Sequence, residues 1–380
     1  MKKAKNITII LILSLFLFVS CKDKEQKEIY SVFSSDNIPS QNFAINAETD
    51  TVLVGKSGTI LRVYKNTFVD NNGKRAKGQV NLELKEIFKS SDIVLANLTT
   101  LSNGNKLQTG GMIFLNATLD GEQLEIANNG AVGIIMPTDS VQNLMQVFNG
   151  IQDSLGVNWE EPKALINSQI AKAMPAAQSD TLPLKIKNGK VVIDSARLAI
   201  NKNSEMEISH ESEGGGEAQH SDGNEENLNQ EIIFIQEVQQ PKGVNSFSQD
   251  WNTNYVFTMK KLGWANIDRL YEDPRTKDVD FITQVENKAD FKVIYITMVT
   301  ERMFLPGYQM KNESFSFTHG DDEKPRLPVG ASATIIATAY KNDVPFFAIK
   351  KIIISDKQTI ILKLVETTKN KLTLDLATQL

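Results

Sequence analysis

The chain has 380 residues, 41% of them hydrophobic, and its 46 acidic and 41 basic residues give a net charge of −5. A nucleic-acid partner requires a basic face, and the sequence has no Lys/Arg cluster with interleaved aromatic residues, so this class of partner is not expected. A chain of this length and hydrophobic content can bury a large core and predicts two domains of ordinary size.

The first 20 residues have the pattern of a signal peptide. Three lysines precede an uncharged run, residues 7–20, which ends directly before Cys21, the single cysteine of the sequence. This run is too short for a transmembrane helix, which needs about 20 apolar residues. An ordinary cleavage site needs small residues at the first and third positions before the cut, and Phe18 does not fit that requirement.

The residues before Cys21 resemble a lipobox, the sequence at which bacterial lipoproteins are cleaved and acylated. Ser20 supplies the small residue before the cysteine, whereas Phe18 stands where the family usually has Leu, with Leu17 one step earlier. The resemblance implies that Cys21 carries lipid, which leaves no disulfide within the chain. A diacyl or triacyl cysteine anchors permanently, because each buried methylene contributes about 0.8 kcal/mol.

The sequence Lys22-Asp23-Lys24-Glu25 resembles the charged tag that sends Bacteroidota-type lipoproteins to the outer face of the outer membrane. Such tags usually place two acidic residues side by side, and Lys24 separates them here. The alternative is a charged spacer that only keeps the tether solvated. We therefore expect a lipid-anchored outer-membrane protein that is exposed at the cell surface, with a periplasm-facing orientation as the alternative.

Hydropathy predicts a mainly β fold after a flexible tether at 21–44. Val80, Leu82 and Leu84 alternate with polar residues, which is the period of a strand with one buried face. Similar short segments separated by turn signals predict a first antiparallel β-sandwich over 45–150. The turn signals are Asp70-Asn71-Asn72-Gly73, Asn103-Gly104, Asp120-Gly121 and Asn128-Asn129-Gly130.

The second half of the chain predicts another β-sandwich. Residues 151–200 are interpreted as connecting structure, and 201–230 as a disordered acidic segment, because eight acidic residues face one lysine there. Alternation then returns within 231–380, which predicts the second antiparallel sandwich. The runs 352–354 and 360–362 are apolar at every position and predict strands covered on both faces.

No catalytic motif is found, and no cofactor is expected. Two of the three histidines, His210 and His220, lie in the acidic segment, where nothing would hold a ring within the ~0.5 Å tolerance of a preorganised site. His319 lies beside Asp321 and Asp322, and these three residues are weak candidates for a divalent metal site. A solvated loop is the favoured interpretation of that segment.

The most distinctive local string spans residues 262–269. Its Trp264, Asn266, Asp268 and Arg269 could present a stacking ring and hydrogen-bonding groups to a sugar or a peptide. The favoured alternative is structural, with the tryptophan in the core and the two charged residues paired locally.

Several short strings resemble a β-sandwich module of large surface and secreted proteins of Bacteroidota, which is remotely similar to the sandwich domains of ankyrins and netrin receptors. The string 262–269 resembles one that accompanies this module. The resemblance implies adhesion or scaffolding and transfers no catalytic residue. The matching strings are Gly58-Thr59, Asn66-Thr67-Phe68-Val69-Asp70, Gly78-Gln79-Val80, Lys85-Glu86-Ile87, Ser91-Asp92-Ile93-Val94-Leu95 and Thr109-Gly110-Gly111-Met112-Ile113-Phe114.

These patterns predict a membrane-anchored, non-enzymatic surface lipoprotein that acts as a binding, adhesion or structural module, with a protein or glycan partner at the cell surface. The alternative is a hydrolase or carbohydrate-processing accessory protein whose site is assembled from residues distant in sequence. A deep polar cleft with convergent carboxylates would favour the alternative.

The lipid anchor can be tested directly at Cys21. The Cys21→Ala variant removes the thiol that is acylated, so we expect it to be released from membranes or to remain as an uncleaved precursor. Metabolic labelling of cells with a palmitate analogue, followed by membrane fractionation, makes the measurement. Lipid label that persists in the variant would refute the assignment.

Overall fold

The structure is a computed structural model that describes residues 33–139, 141–153, 156–166, 253–286, 291–318, 323–342 and 344–380, and the backbone of 184–187 and 190–193. Several predictions fall outside these residues and are not tested by it. They concern the signal peptide, Cys21, the acidic segment 201–230, the three histidines, Asp321 and Asp322.

The described chain is mainly β and forms two sandwiches, which confirms the predicted fold class. The strands of the first sandwich and its short accessory pairs are β1 (Gln41–Asn46), β2 (Thr51–Val54), β3 (Ile60–Val63), β4 (Phe68–Val69), β5 (Gln79–Ile87), β6 (Leu101–Ser102), β7 (Asn105–Leu119), β8 (Glu122–Gln123), β9 (Glu125–Ile126), β10 (Val132–Pro137), β11 (Gln146–Asp153), β12 (Gly156–Ala164), β15 (Asn254–Met259) and β16 (Gly263–Leu270). A separate hairpin consists of β13 (Leu184–Lys187) and β14 (Lys190–Ile193).

The first sandwich packs a large sheet on a small one. The large sheet has the order β1-β5-β7-β16-β11-β12, with β6 and β8 paired to β7, and the small sheet has the order β15-β10-β3-β2. The predicted alternation is correct, since Val80, Leu82 and Leu84 point into the core between these sheets. Leu61 and Phe257 of the small sheet belong to the same core.

The residues that form the first sandwich differ from the boundaries predicted from the sequence. Residues 254–270 were assigned to the second sandwich, yet β15 pairs with β10, and β16 lies between β7 and β11. Residues 156–164, interpreted as connecting structure, form β12 at the edge of the large sheet. Alternation identifies a strand but not its partner, so these long-range pairings could not be read from the sequence.

The second sandwich follows β16. Its strands and the adjoining short pair are β17 (Thr276–Asp278), β18 (Asp280–Val285), β19 (Phe291–Met298), β20 (Met303–Pro306), β21 (Tyr308–Gln309), β22 (Phe315–Ser316), β23 (Arg326–Pro328), β24 (Ser332–Lys341), β25 (Val344–Ile353), β26 (Lys357–Leu362) and β27 (Val365–Glu366). A sheet of order β20-β19-β24-β25-β27 packs on one of order β21-β22-β18-β26 around Phe281, Ile296 and Ile335. Only β18 and β26 pair in parallel among these strands, and β17 pairs with β23.

One expectation about this sandwich is wrong. Ile353 and Ile361 lie in the two runs predicted to be covered on both faces, yet their exposed fractions are 59% and 48%. Both strands lie toward the ends of their sheets, and an outer face there meets no further layer.

The two sandwiches share a third hydrophobic cluster, which we call the shared core. It contains Trp159 and Trp264 from the large sheet, and Tyr295 and Phe304 from the second sandwich. Two helices complete it: α1 (Ser90–Leu95) and α2 (Lys369–Gln379), the latter through Leu372 and Leu376. The sheet of β19 and β24 is therefore buried on both faces.

Polar contacts also cross between the sandwiches. The backbone N–H of Thr100 donates to the carbonyl of Phe304 at 2.9 Å, and the N–H of Phe304 donates to Thr100 Oγ1 at 2.9 Å. The Tyr295 hydroxyl donates to Asn97 Oδ1. The two sandwiches therefore meet as one body, with apolar packing at its centre and paired backbone groups beside it.

The folded body begins earlier than the predicted tether allows. Phe33 is buried in the shared core, where its ring meets that of Tyr295 edge to face with centroids 5.5 Å apart. A 3-10 turn, Ser35–Asn37, lies within the range 21–44, and β1 begins there at Gln41. The part of this range from Phe33 onward is therefore ordered structure, which its polar composition did not indicate.

Candidate functional site

The candidate site is built on a bulge in the longest strand of the first sandwich. Ile267 of β16 lies opposite Gly111 of β7, whereas the next residue, Asp268, lies opposite Thr109, so Gly110 has no partner. A Cβ on Gly110 would lie 2.9 Å from the Tyr255 ring. Gly111 has φ +139, and a Cβ there would lie 2.7 Å from the Phe88 ring. The Thr-Gly-Gly string thus lets the strand bulge where side chains crowd it.

A cavity of about 590 Å³ lies at this bulge, and both sandwiches line it. Most of its wall belongs to the first sandwich, while Thr300 and Arg302 come from the turn between β19 and β20. Its apolar wall consists of Phe88, Pro137, Met145 and Tyr255. Its neutral polar side chains are Ser57, Gln108, Thr109, Thr138, Gln142 and Thr300. Asp139 and Arg302 are its two charged residues.

Arg302 ties the second sandwich to the bulge. Its Nε donates to the Thr109 carbonyl at 2.7 Å and its Nη2 to the Phe88 carbonyl at 3.2 Å, while the N–H of Thr109 donates to the Arg302 carbonyl at 3.2 Å. The residue has φ +49, a strained conformation for a long side chain. Burial lowers the pKa of the guanidinium, which nevertheless stays protonated.

A buried polar network lies behind the bulge. Thr109 Oγ1 donates to Asn266 Oδ1 at 2.8 Å, and Asn266 Nδ2 donates to Asp268 Oδ2 at 2.6 Å. Asp268 is fully buried, and its Oδ1 has no hydrogen-bond partner among the described residues. Burial raises the pKa of Asp268 from 3.8 to about 8, against the opposing effect of the nearby Thr109 hydroxyl, of the hydrogen bond from Asn266 and of the Arg302 charge. The carboxyl is therefore protonated at neutral pH.

Glu86 shapes another wall of the cavity. Its Oε2 accepts from the Ser57 N–H at 2.9 Å and from Gln41 Nε2 at 2.7 Å, and its Oε1 accepts from the Thr59 N–H at 3.0 Å. A Cβ on Gly55 would lie 2.7 Å from this carboxylate, so a larger residue there would displace the carboxylate from its place. The carboxylate therefore fixes the turn that carries Ser57 to the cavity.

The rim of the cavity carries an exposed apolar side chain. Leu144 lies between the lining residues Gln142 and Met145, has φ +63 and is 83% exposed. Leucine rarely adopts this backbone conformation, and here most of its apolar side chain remains in contact with water. Strained backbone conformations of this kind cluster at functional sites.

The four residues predicted as a binding string lie around this site rather than in it. Trp264 is 8% exposed and packs in the shared core, with its ring 5.0 Å from that of Phe114. Asn266 and Asp268 are fully buried in the polar network. Arg269 Nε donates to Oε1 of the lining residue Gln108 at 2.8 Å. Direct contact of these four residues with a ligand stays a prediction.

The remaining predicted site residues are not described. Cys21, His319, Asp321 and Asp322 lie outside the described ranges. Among the residues that the structure does describe, no group of three or more His, Cys, Asp or Glu could hold a metal ion. Within the same residues, no helix has the length and hydropathy to span a membrane.

Sequence reasoning missed Arg302 and Glu86. Arg302 reaches the bulge from 193 residues away in sequence, and a lone arginine in a turn gives no local signal of that contact. Glu86 interrupts the alternation near the end of β5, which marks a buried polar position that needs partners. The paired glycines Gly110 and Gly111 inside a strand pattern were a usable signal for the bulge.

Comparison of the chain with protein-family models, with curated proteins and with solved structures finds no match. The resemblances to a lipobox and to a Bacteroidota sandwich module therefore stay predictions.

The buried carboxyl of Asp268 makes stability depend on pH. The unfolded chain loses this proton near pH 4 and the folded chain near pH 8, so the folded state binds more protons between these values and stability falls as pH rises, by at most about 1.4 kcal/mol per pH unit. In the Asp268→Asn variant, which stays neutral, we expect this fall to disappear. Urea unfolding at pH 5, 6, 7 and 8 makes the measurement.

The matched control is Asp139→Asn at the exposed end of the cavity, where no buried proton is removed. It should keep the wild-type slope of stability against pH. An Asp268→Asn variant with the same slope as the wild type would show that the carboxyl is ionised in the folded protein.

Proposed function

We propose that the protein is a lipid-anchored, non-enzymatic binding module of the bacterial outer-membrane surface, with its ligand held in the cavity between the two sandwiches. The observation that carries the proposal is the composition of that cavity. Among the described residues, six neutral hydrogen-bonding side chains line it, with a single carboxylate, Asp139. Acid-base hydrolysis of glycosides usually needs two carboxyl groups that converge on the bond, whereas binding needs only donors, acceptors and shape.

The lining favours a polar ligand with apolar patches, such as a sugar or a peptide. Amide and hydroxyl side chains, among them Gln108, Gln142 and Thr138, offer both donors and acceptors. Phe88 and Met145 offer apolar contact on the same wall. Pockets for small ligands combine an apolar lining with a few polar groups that fix orientation.

The walls of the cavity are held in place before a ligand arrives. The shared core fixes the two sandwiches, Glu86 fixes the turn of Ser57, and Arg302 is bound to two carbonyls. A site that is already ordered loses less conformational entropy when it binds. This organisation supports binding as the role of the cavity.

The anchor sets where this site acts. Acylation of Cys21 would place the start of the chain at the membrane, and Phe33, which is buried in the shared core, is the first residue that the structure describes. Eleven residues lie between them, and the twelve steps from Cys21 to Phe33 span at most about 43 Å in a fully extended chain. The cavity would therefore stay near the membrane, in position for a polymer or protein of the cell surface.

Carbohydrate processing is the second candidate. One observation favours it: the protonated carboxyl of Asp268, a property of a general acid, belongs to a network with Thr109, which lines the cavity. The carboxyl has no exposed surface, so catalysis would need an opening of the bulge. Binding needs no such change, and we therefore place it first.

A cavity-filling variant tests the proposal. The Ser57 side chain is exposed at the cavity and its hydroxyl forms no hydrogen bond with a described residue, so Ser57→Trp should fill the cavity at little cost to folding. We expect the detergent-purified full chain to bind at least one member of a panel of trisaccharides and N-acetylated tripeptides in calorimetric titration. We expect Ser57→Trp to abolish that binding.

Lys56→Trp is the matched control, because Lys56 is exposed in the same turn and does not line the cavity. It should bind as the wild type does, and the bound probe should be recovered intact. Binding that survives Ser57→Trp, or a panel that does not bind at all, would contradict the proposal. Recovery of cleaved probe would favour the carbohydrate-processing candidate instead.

A further inference from the structure

We infer that the cavity recognises its ligand through a carboxylate, which Arg302 binds with two parallel N–H groups. The inference rests on the proposed function, that the cavity is a ligand site. It adds the chemical class of the ligand and the residue that selects it.

The first argument is the geometry of the guanidinium. Its Nε and Nη2 donate to the Thr109 and Phe88 carbonyls, and the guanidinium makes no other hydrogen bond with a described residue. These two bonds use one edge of the planar group and hold it in place. The edge formed by Nη1 and Nη2 keeps two parallel N–H groups, the arrangement that binds a carboxylate bidentately.

The second argument is charge. Arg302 forms no ion pair with a carboxylate of the described residues, although it lines the cavity. The acidic groups whose charge reaches it are Asp139, which is exposed at the rim, and Asp268 behind the bulge, with the Tyr255 hydroxyl also nearby. Burial keeps Asp268 protonated at neutral pH. The cavity therefore holds a partly desolvated cation that forms no ion pair with a described carboxylate, which favours an anionic ligand.

The third argument selects a carboxylate among anions. Arg302 is the single cation among the described lining residues, and Asp139 adds a negative charge at the rim. A phosphate group carries more charge and is usually bound by clustered cations or a set of backbone N–H groups. A carboxylate matches one arginine, and the neutral side chains of Gln108 and Thr300 remain for the uncharged part of the ligand.

Two sources could supply this group, an acidic sugar and the carboxyl end of a peptide. Calorimetric titration of the detergent-purified full chain compares each with a neutral partner. The sugar pair is tri-galacturonate and its methyl ester, and the peptide pair is N-acetyl-triglycine and its amide. We expect one acid to bind roughly tenfold or more tightly than its neutral partner, as for a charge-assisted hydrogen-bonded pair. The pair that shows the difference identifies the source.

Variants assign the effect to Arg302. Arg302→Gln should reduce the affinity for the acid to that for its neutral partner. Arg75→Gln is the control, because Arg75 also binds a backbone carbonyl, that of Asn66, but does not line the cavity, and it should leave both affinities unchanged. Should Arg302→Gln fail to fold, the wild-type comparison of acid with neutral partner decides alone.

Each failure has a separate meaning. Equal affinities for acid and neutral partner, with binding abolished in Ser57→Trp, would overturn the carboxylate and leave the binding function standing. An acid preference that Arg302→Gln retains would overturn the role of Arg302. Absence of binding by all four probes would contradict the inference, and absence of binding across the wider panel would contradict the proposed function.

Discussion

Two β-sandwiches can share a core only if a sheet from each is buried on both faces, and this constraint determines the rest of the structure. Trp159 and Trp264 fill the shared side of the first sandwich, and Tyr295 and Phe304 that of the second. Where this apolar packing ends, backbone groups of both sandwiches must still find partners. At the bulge of β7, Arg302 supplies hydrogen-bond donors to two backbone carbonyls of the first sandwich. The cavity lies there because the facing surfaces of the two sandwiches change from apolar to polar at that point.

The position of the bulge also explains why one of two neighbouring ionisable side chains is neutral and the other is charged. Asp268 lies behind the bulge, away from water, and stays protonated, whereas Arg302 remains charged beside it. A buried ion pair between them would have cost the hydration of both groups. The fold instead keeps the acid neutral by burying it, and it leaves the guanidinium of Arg302 with N–H groups that bind no described residue.

The sequence predicted the individual strands more accurately than it predicted which strands pair with each other. The alternation at Val80, Leu82 and Leu84 identified a half-buried strand, because one local period is enough for that. The membership of β15 and β16 depends on pairing with strands more than 100 residues away, which no local pattern contains. Ile353 and Ile361 are exposed because no further layer covers the outer faces of their sheets. The sequence of a strand does not show whether such a layer is present. Arg302 was missed for the same reason, since its contact with Thr109 is long-range.

The central claim is that the shared core holds both sandwiches together and thereby sets the cavity. Hydrogen-exchange mass spectrometry on the Leu376→Ala variant tests it most directly, with Leu374→Ala as control, because Leu376 is fully buried in that core and Leu374 is 63% exposed on the same helix. We predict a loss on the order of 2–5 kcal/mol of stability in Leu376→Ala and faster exchange in β5 and β24 together. Faster exchange in the second sandwich alone, with β5 unchanged, would contradict the account.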